Sequence, residues 1–169
     1  MIKKIEKKFP KMATIAMIAA VAVAIIGFKY NYMVCVVPTG SMLPTLSLGE
    51  IVFTEKIRSE NDFQRGDILV FDKGEVLLIK RLIGMPGDTI EIKSGVLYLN
   101  NEPQVEEYVK KDFPMSDYGP FTVPEGHYFM MGDNRNNSGD SRVFGAVPYE
   151  TLVAKNIFHF PSIVRSLFG

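Results

Sequence analysis

The chain has 169 residues, one domain's worth with room for an appendage. Its formal net charge is zero, but the charges are segregated: residues 1–11 carry five lysines against one glutamate, and the remainder holds 14 basic and 18 acidic side chains. A mildly acidic body without a basic stripe argues against nucleic-acid binding, one cysteine cannot form an intrachain disulfide, and two histidines without a Cys/His cluster give no basis for a metal site; no cofactor is expected.

Residues 1–11 form a basic tail. Met12 to Phe28 follows as 17 residues without a charge, with Thr14 the only polar side chain. As a helix this run would reach about 25 Å, near the lower limit for crossing a bilayer. Tyr30 and Tyr32 come where an aromatic belt would lie, and the preceding lysines place the N-terminus in the cytoplasm. A transmembrane helix over 12–30 is predicted, with residues 31–169 on the far side. A cleaved signal peptide is the rival reading, with Ala-x-Ala options at Ala20/Ala22 and Ala22/Ala24. The apolar run continues past those alanines, which favours a retained anchor. A buried core helix is disfavoured because no polar face recurs at helical spacing.

Beyond the anchor, short apolar runs alternate with turn signals. Strands are predicted over Met33–Val37, Glu50–Thr54, Ile68–Phe71, Glu75–Gly84, Thr89–Ile92, Val96–Leu99, Phe121–Val123 and Tyr128–Met131. The Glu75–Gly84 run is apolar on both faces, so it is predicted to be covered on both sides. Asn100-Asn101 reads as a tight hairpin turn. Residues 96–120 form a hairpin or cap excursion, polar from 101 onward. Ser162–Phe168 reads as a short amphipathic terminal helix. The fold class is mostly β, an antiparallel sheet of partly open, barrel-like form, with the helix at its N-terminus.

Three segments carry chemistry. In Pro38-Thr39-Gly40-Ser41-Met42-Leu43-Pro44-Thr45, the prolines remove donors and fix φ, and Gly40 frees the backbone beside Ser41. That holds one hydroxyl on a rigid bend, as a nucleophile needs; an ordinary Pro/Gly/Ser/Thr turn has the same composition. Lys80 lies inside Leu78-Ile79-Lys80-Arg81-Leu82-Ile83. Desolvation there would lower its pKa by the roughly 3 units a neutral-pH base requires. The alternative is a stem packed on the sheet with its head in water. Gly132 to Arg142 holds acids, arginines and two serines, and lacks the trailing glutamate of an EF-hand. It reads as a solvated turn or as a loop that supports the lysine. His127 and His159 belong to none of these segments, so a Ser-His-Asp triad is unsupported, while Ser–Lys is a known variant.

The ordered set Pro38–Pro44, Arg65–Phe71, Lys80–Asp88 and Gly132–Arg142 resembles bacterial type I signal peptidase over about residues 10–160. The resemblance implies a membrane-bound serine endopeptidase that removes signal peptides after Ala-x-Ala-type sites on the outer face of the cytoplasmic membrane. Its partners would be signal-peptide-bearing preproteins and membrane lipid. By motif position it implies Ser41 as nucleophile, Lys80 as general base, and the Ser41 N–H with the Thr39 hydroxyl as oxyanion hole. Ser138 would orient the Lys80 amine. Arg81, Asp133, Asp140 and Arg142 would form structural ion pairs. An extended substrate adds to strands and seats alternate side chains, so Val36, Val37, Pro38, Leu78 and Ile79 flank the expected binding track, with Val37, Met42, Leu46 and Ile79 lining a shallow pocket for alanine. Cys35 either faces a neighbouring pocket or is a buried strand residue. A dedicated-substrate relative, such as a pilin-processing peptidase, a self-cleaving repressor and a catalytically silent β-domain are the other readings. The repressor is disfavoured by the membrane segment, and the silent domain by the intact Ser41, Lys80 and Ser138.

Overall fold

The computed structural model describes residues 11–109 and 115–160. The expected terminal helix over Ser162–Phe168 and part of the 96–120 excursion lie outside the described residues. The chain divides into two units, one ending at Tyr32 and the other starting at Met33.

Among the described residues, the first unit holds one helix, α1 (Lys11–Asn31). Alanine, isoleucine and valine fill it without a polar stripe, and Ile15, Ile18, Val23 and Ile26 are all exposed. A helix apolar all round has no aqueous side. Its 21 residues span about 31 Å, the thickness of a bilayer's hydrocarbon core. At its end the Asn31 side-chain amide donates to the Gly27 carbonyl at 2.8 Å, occupying one of the acceptors that a helix C-terminus leaves open.

The second unit is mostly antiparallel β. Its strands are β1 (Tyr32–Val36), β2 (Ile51–Lys56), β3 (Ile68–Asp72), β4 (Leu77–Gly84), β5 (Thr89–Lys93), β6 (Val96–Leu99), β7 (Glu102–Pro103), β8 (Tyr118–Thr122), β9 (His127–Met131), β10 (Val147–Pro148) and β11 (Leu152–His159). One helical turn, α2 (Ser141–Phe144), precedes β10. Seven strands form the main sheet in the order β1-β2-β11-β3-β4-β9-β10, and four form a second sheet in the order β7-β6-β5-β8. Because β1 and β10 are its two edges, the main sheet remains open. β10 and β11 are absent from the predicted strands, and β11 is the longer. It lies between β2 and β3, and its register against both is interrupted.

The β6–β7 turn follows from its residues. Asn100 and Asn101 both take positive φ, 53° and 69°, the conformation a two-residue primed turn demands and asparagine tolerates. β4 is the central support. It pairs with β3 in continuous register from Ile68↔Arg81 to Asp72↔Leu77. Against β9 the register shifts between Leu82 and Gly84. Gly84 is there because the two sheets close on it. A Cβ at this position would meet Ile90 at 2.8 Å and Phe129 at 3.0 Å. Beyond that point the chain leaves the main sheet for β5.

Three apolar clusters fill the unit. The first joins Val37, Met42, Leu46, Val52, Val70 and Ile79. A second gathers Leu69, Phe71, Leu82, Tyr128 and Leu152 behind β3 and β4. The third, around Ile90, Ile92, Leu97 and Phe129, ties the second sheet to the first. Burial of each such side chain contributes about 1.5–3 kcal/mol. Met42 and Leu46, both fully buried, therefore anchor the segment that follows Ser41.

Candidate active site

Ser41 lies in a single 3-10 turn, Gly40–Met42, between an extended Thr39 and an extended Leu43. The prolines on either side cannot donate to a ladder, so the segment leaves β1 and turns inward. Two sets of bonds fix it to the loop that follows β9. The Asn134 backbone N–H donates to the Ser41 carbonyl at 3.0 Å, and its side-chain amide donates to the Gly40 carbonyl at 2.9 Å. The Thr45 hydroxyl donates to the Asp133 carboxylate at 2.5 Å.

Lys80 comes from the middle of β4. Its Nζ is 2.7 Å from Ser41 Oγ and donates to the Ile79 carbonyl at 3.0 Å. The residue is 3% exposed and Ser41 is 7% exposed. Burial drives the Lys80 pKa below that of an ordinary lysine, and the charges of Asp140 and Asp133 oppose this only in part. The Thr39 hydroxyl donates to Ser41 Oγ at 3.2 Å, which places a second hydroxyl beside the Lys80 amine.

Around this pair stand two buried ion pairs. Arg81 grips Asp133 with Nε at 2.8 Å and Nη2 at 2.6 Å, and donates to the Gly66 carbonyl. Burial would lower the Arg81 pKa, but the Asp133 hydrogen bonds and charge hold it raised. Arg142 binds Asp140 through Nε and Nη2, both at 2.8 Å. Asp140 also accepts from the Gly132 N–H at 3.0 Å. Burial pushes its carboxyl up, yet Arg142 and these donors hold it low. Removing one member of such a pair strands a buried charge, at about 3–5 kcal/mol.

Ser138 differs from expectation. Its hydroxyl is buried and has no hydrogen-bond partner; the second bond of Lys80 goes to the Ile79 carbonyl instead. It lies close enough to Asp140 to favour that anion, without hydrogen-bond geometry. Gly132 is the residue that lets it come in: a Cβ there would collide with Ser138 and lie 2.5 Å from the Ser41 carbonyl.

A groove of about 290 Å³ is lined by residues as near in sequence to the pair as Pro38 and Ile79. Val36, Val37 and Pro38 form one wall, Leu77, Leu78 and Ile79 the other. β1 and β4 are separated by three strands in the sheet, so a groove lined by both requires the sheet to curl. Met42 and Leu46 are not among its lining residues; both are 0% exposed and form part of the packing under the Ser41 turn. Their expected place as pocket lining is corrected on this point. Cys35 lines the groove and is half-buried, with its thiol pushed up by burial against a smaller opposing effect of Thr54. Among the described residues, no cluster of three His, Cys, Asp or Glu side chains is placed to hold a metal.

Residues 10–160 match the family described as signal peptidase, peptidase S26. The chain belongs to the signal peptidase family. A probable signal peptidase I-1 of Synechocystis is 38% identical over 135 residues, 73% of this chain and 68% of that protein. The signal peptidase I S of Bacillus subtilis is 41% identical over 138 residues, 75% of each chain. Among solved structures, the signal peptidase I of Enterococcus faecalis is 36% identical, with a TM-score of 0.49, over 57% of this chain and 95% of that one. The expected family, a mostly β antiparallel fold with an N-terminal apolar helix, and a serine peptidase activity are thereby established. With that family, α1 makes the protein membrane-anchored.

Sequence reasoning had no role for Asn134, Thr45, Glu106, Tyr108 or Arg135. The first lies within the loop already singled out, where its place between Asp133 and Arg135 was the available signal. The acid and the tyrosine lie in a polar stretch without periodicity, and only the folded chain brings them to the loop.

Proposed function

We propose that this signal peptidase cleaves exported preproteins after Ala-x-Ala-type sites by a Ser41–Lys80 dyad, on the extracytoplasmic face of the cytoplasmic membrane. The observation that carries this reading is the 2.7 Å separation of Lys80 Nζ and Ser41 Oγ in a buried setting. No histidine or carboxylate hydrogen-bonds to Ser41 Oγ among the bonds described, and its partners there are Lys80 and Thr39.

The chemistry is acyl transfer. Neutral Lys80 takes the Ser41 proton as Oγ attacks the scissile carbonyl carbon. The oxyanion forms against the Ser41 N–H and the Thr39 hydroxyl, whose oxygen is already 3.2 Å from Oγ and needs only to rotate. The lysine then protonates the leaving amine. Water, deprotonated by the same amine, attacks the ester and frees Ser41. The extended cleavage region would add to the edge of β1 and seat alternate small side chains against Val36, Val37, Pro38, Leu78 and Ile79. A groove of this volume admits alanine-sized groups, which agrees with the substrate class. Arg81–Asp133 and Arg142–Asp140 hold the frame. Ser138 is proposed to approach Lys80 when substrate enters, since its hydroxyl is buried beside the site and unengaged. The basic tail orients the N-terminus to the cytoplasm, in a single pass.

The test uses the detergent-solubilised full chain and a preprotein with an Ala-x-Ala site. Ser41→Ala and Lys80→Arg should each lower turnover by about 10³-fold or more, since arginine cannot give up its proton. Turnover by Lys80→Arg at the wild-type rate would end the general-base assignment.

A further inference from the structure

The polar excursion after β6 reaches back to the catalytic loop. Arg135, in that loop, has a side chain only 2% exposed. Its guanidinium meets the Glu106 carboxylate through two parallel bonds, Nη1 to Oε2 and Nη2 to Oε1, both 2.6 Å. The Glu106 side chain is itself 8% exposed. The Nε of Arg135 donates to the Gly132 carbonyl at 3.0 Å, and its own carbonyl accepts from Arg142 Nη2 at 2.6 Å. Two residues on, the Tyr108 hydroxyl donates to Glu106 Oε1 at 2.7 Å, and its ring lies 3.9 Å from the Arg81 guanidinium carbon. One short segment thus touches Arg135 in the loop and Arg81 on β4.

We propose that Glu106 and Tyr108 are positioning residues for the Ser41–Lys80 dyad, latching the Gly132–Arg142 loop and Arg81 so that nucleophile and base stay at reacting distance. The proposal rests on the dyad reading above. Its physical basis is the burial of Arg135. A guanidinium out of water requires a counter-charge, and Glu106 is the carboxylate bonded to it. Without that charge Arg135 must turn toward solvent and draw its loop along. The loop is what holds Ser41, through the two bonds from Asn134. On the other side, the Tyr108 ring caps Arg81, whose partner Asp133 accepts from Thr45 at the end of the nucleophile turn. Bidentate and stacked arginine contacts are directional, so they set position as well as charge.

The experiment uses the full-length protein in detergent with the preprotein substrate. It compares Glu106→Gln, Glu106→Asp, Tyr108→Phe and Tyr108→Leu by kcat, KM and the pH profile, with rates referred to the folded fraction. Glu106→Gln should lower kcat by at least about tenfold and leave KM within about twofold, because neither residue lines the groove. Its acid limb should move to higher pH, since water reaching Lys80 favours the ammonium. Glu106→Asp, which keeps the charge, should recover part of the loss. Tyr108→Phe keeps the ring over Arg81 and should be milder than Tyr108→Leu. Wild-type kcat and acid limb in Glu106→Gln would overturn the latch. So would a loss of folded protein with unchanged kcat per folded molecule and an unmoved limb, the mark of a purely structural pair. If Glu106→Gln does not fold, Tyr108→Leu decides on the same two readouts. Ser41→Ala and Lys80→Arg run beside these variants. Full activity in either brings down the dyad; inactivity in both, with wild-type behaviour of the latch variants, brings down the latch alone.

Discussion

At the scale of single residues, the proposed mechanism requires an amine uncharged at neutral pH while two carboxylates stand nearby. Burial lowers the Lys80 pKa, and Asp140 and Asp133 work against it. The sign of their effect gives a prediction. In the proposed mechanism the active form is the free amine, so activity should rise with pH through the lowered Lys80 pKa. Asp140→Asn removes a charge that stabilises the ammonium, so the acid limb of kcat/KM should shift to lower pH. Asparagine preserves an acceptor for the Gly132 N–H but leaves Arg142 without its counter-charge, so the melting temperature should fall. A pH–rate profile and a thermal melt of this variant check both halves, and a limb that moves upward would refute the electrostatic account. Ser41 and Lys80 each had an ordinary reading when taken alone, a turn serine and a lysine with its head in water; only the four collinear motifs singled them out, and the folded chain brings them together. The true partner of Lys80 besides Ser41 was not legible: a main-chain carbonyl has no residue signature, and Ser138 has the right chemistry while its hydroxyl stays unengaged.

Among the elements, the loop after β9 is closely packed at one glycine. Gly132 lies where the Ser41 carbonyl and the Ser138 side chain converge. The Ser41 carbonyl belongs to the main chain and cannot swing aside. Gly132→Ala should therefore cost about 1–3 kcal/mol of stability and depress turnover of the folded fraction, measured by denaturant unfolding beside preprotein cleavage. An alanine variant with wild-type stability and rate would show that the loop relaxes freely. Elements with one clean signal were readable: β3 and β4 as apolar runs, β6 and β7 from the Asn100-Asn101 turn. β11 was not, although it lies between β2 and β3, because Lys155 and Asn156 interrupt its apolar pattern where its register against β2 shifts. Single turns such as α2 carry too few residues for periodicity. The groove was legible in its strand walls and misread at Met42 and Leu46, whose apolar character serves packing and is indistinguishable in sequence from pocket lining.

For the whole molecule, charge and hydropathy are partitioned along the chain: a basic tail, an apolar helix, then an acidic body. The proposed orientation predicts that protease added outside intact spheroplasts digests the body while an epitope on residues 1–11 stays protected. Digestion of that epitope under the same conditions would reverse the topology. The body relies on one strand for two unlike tasks, because consecutive residues of β4 leave on opposite faces. Lys80 meets the serine and Arg81 braces the frame. Slippage of that strand by a single position would present a guanidinium to the hydroxyl, a group that stays protonated at any physiological pH. A misthreaded copy would then be inert rather than indiscriminate. Such a fail-safe suits a peptidase.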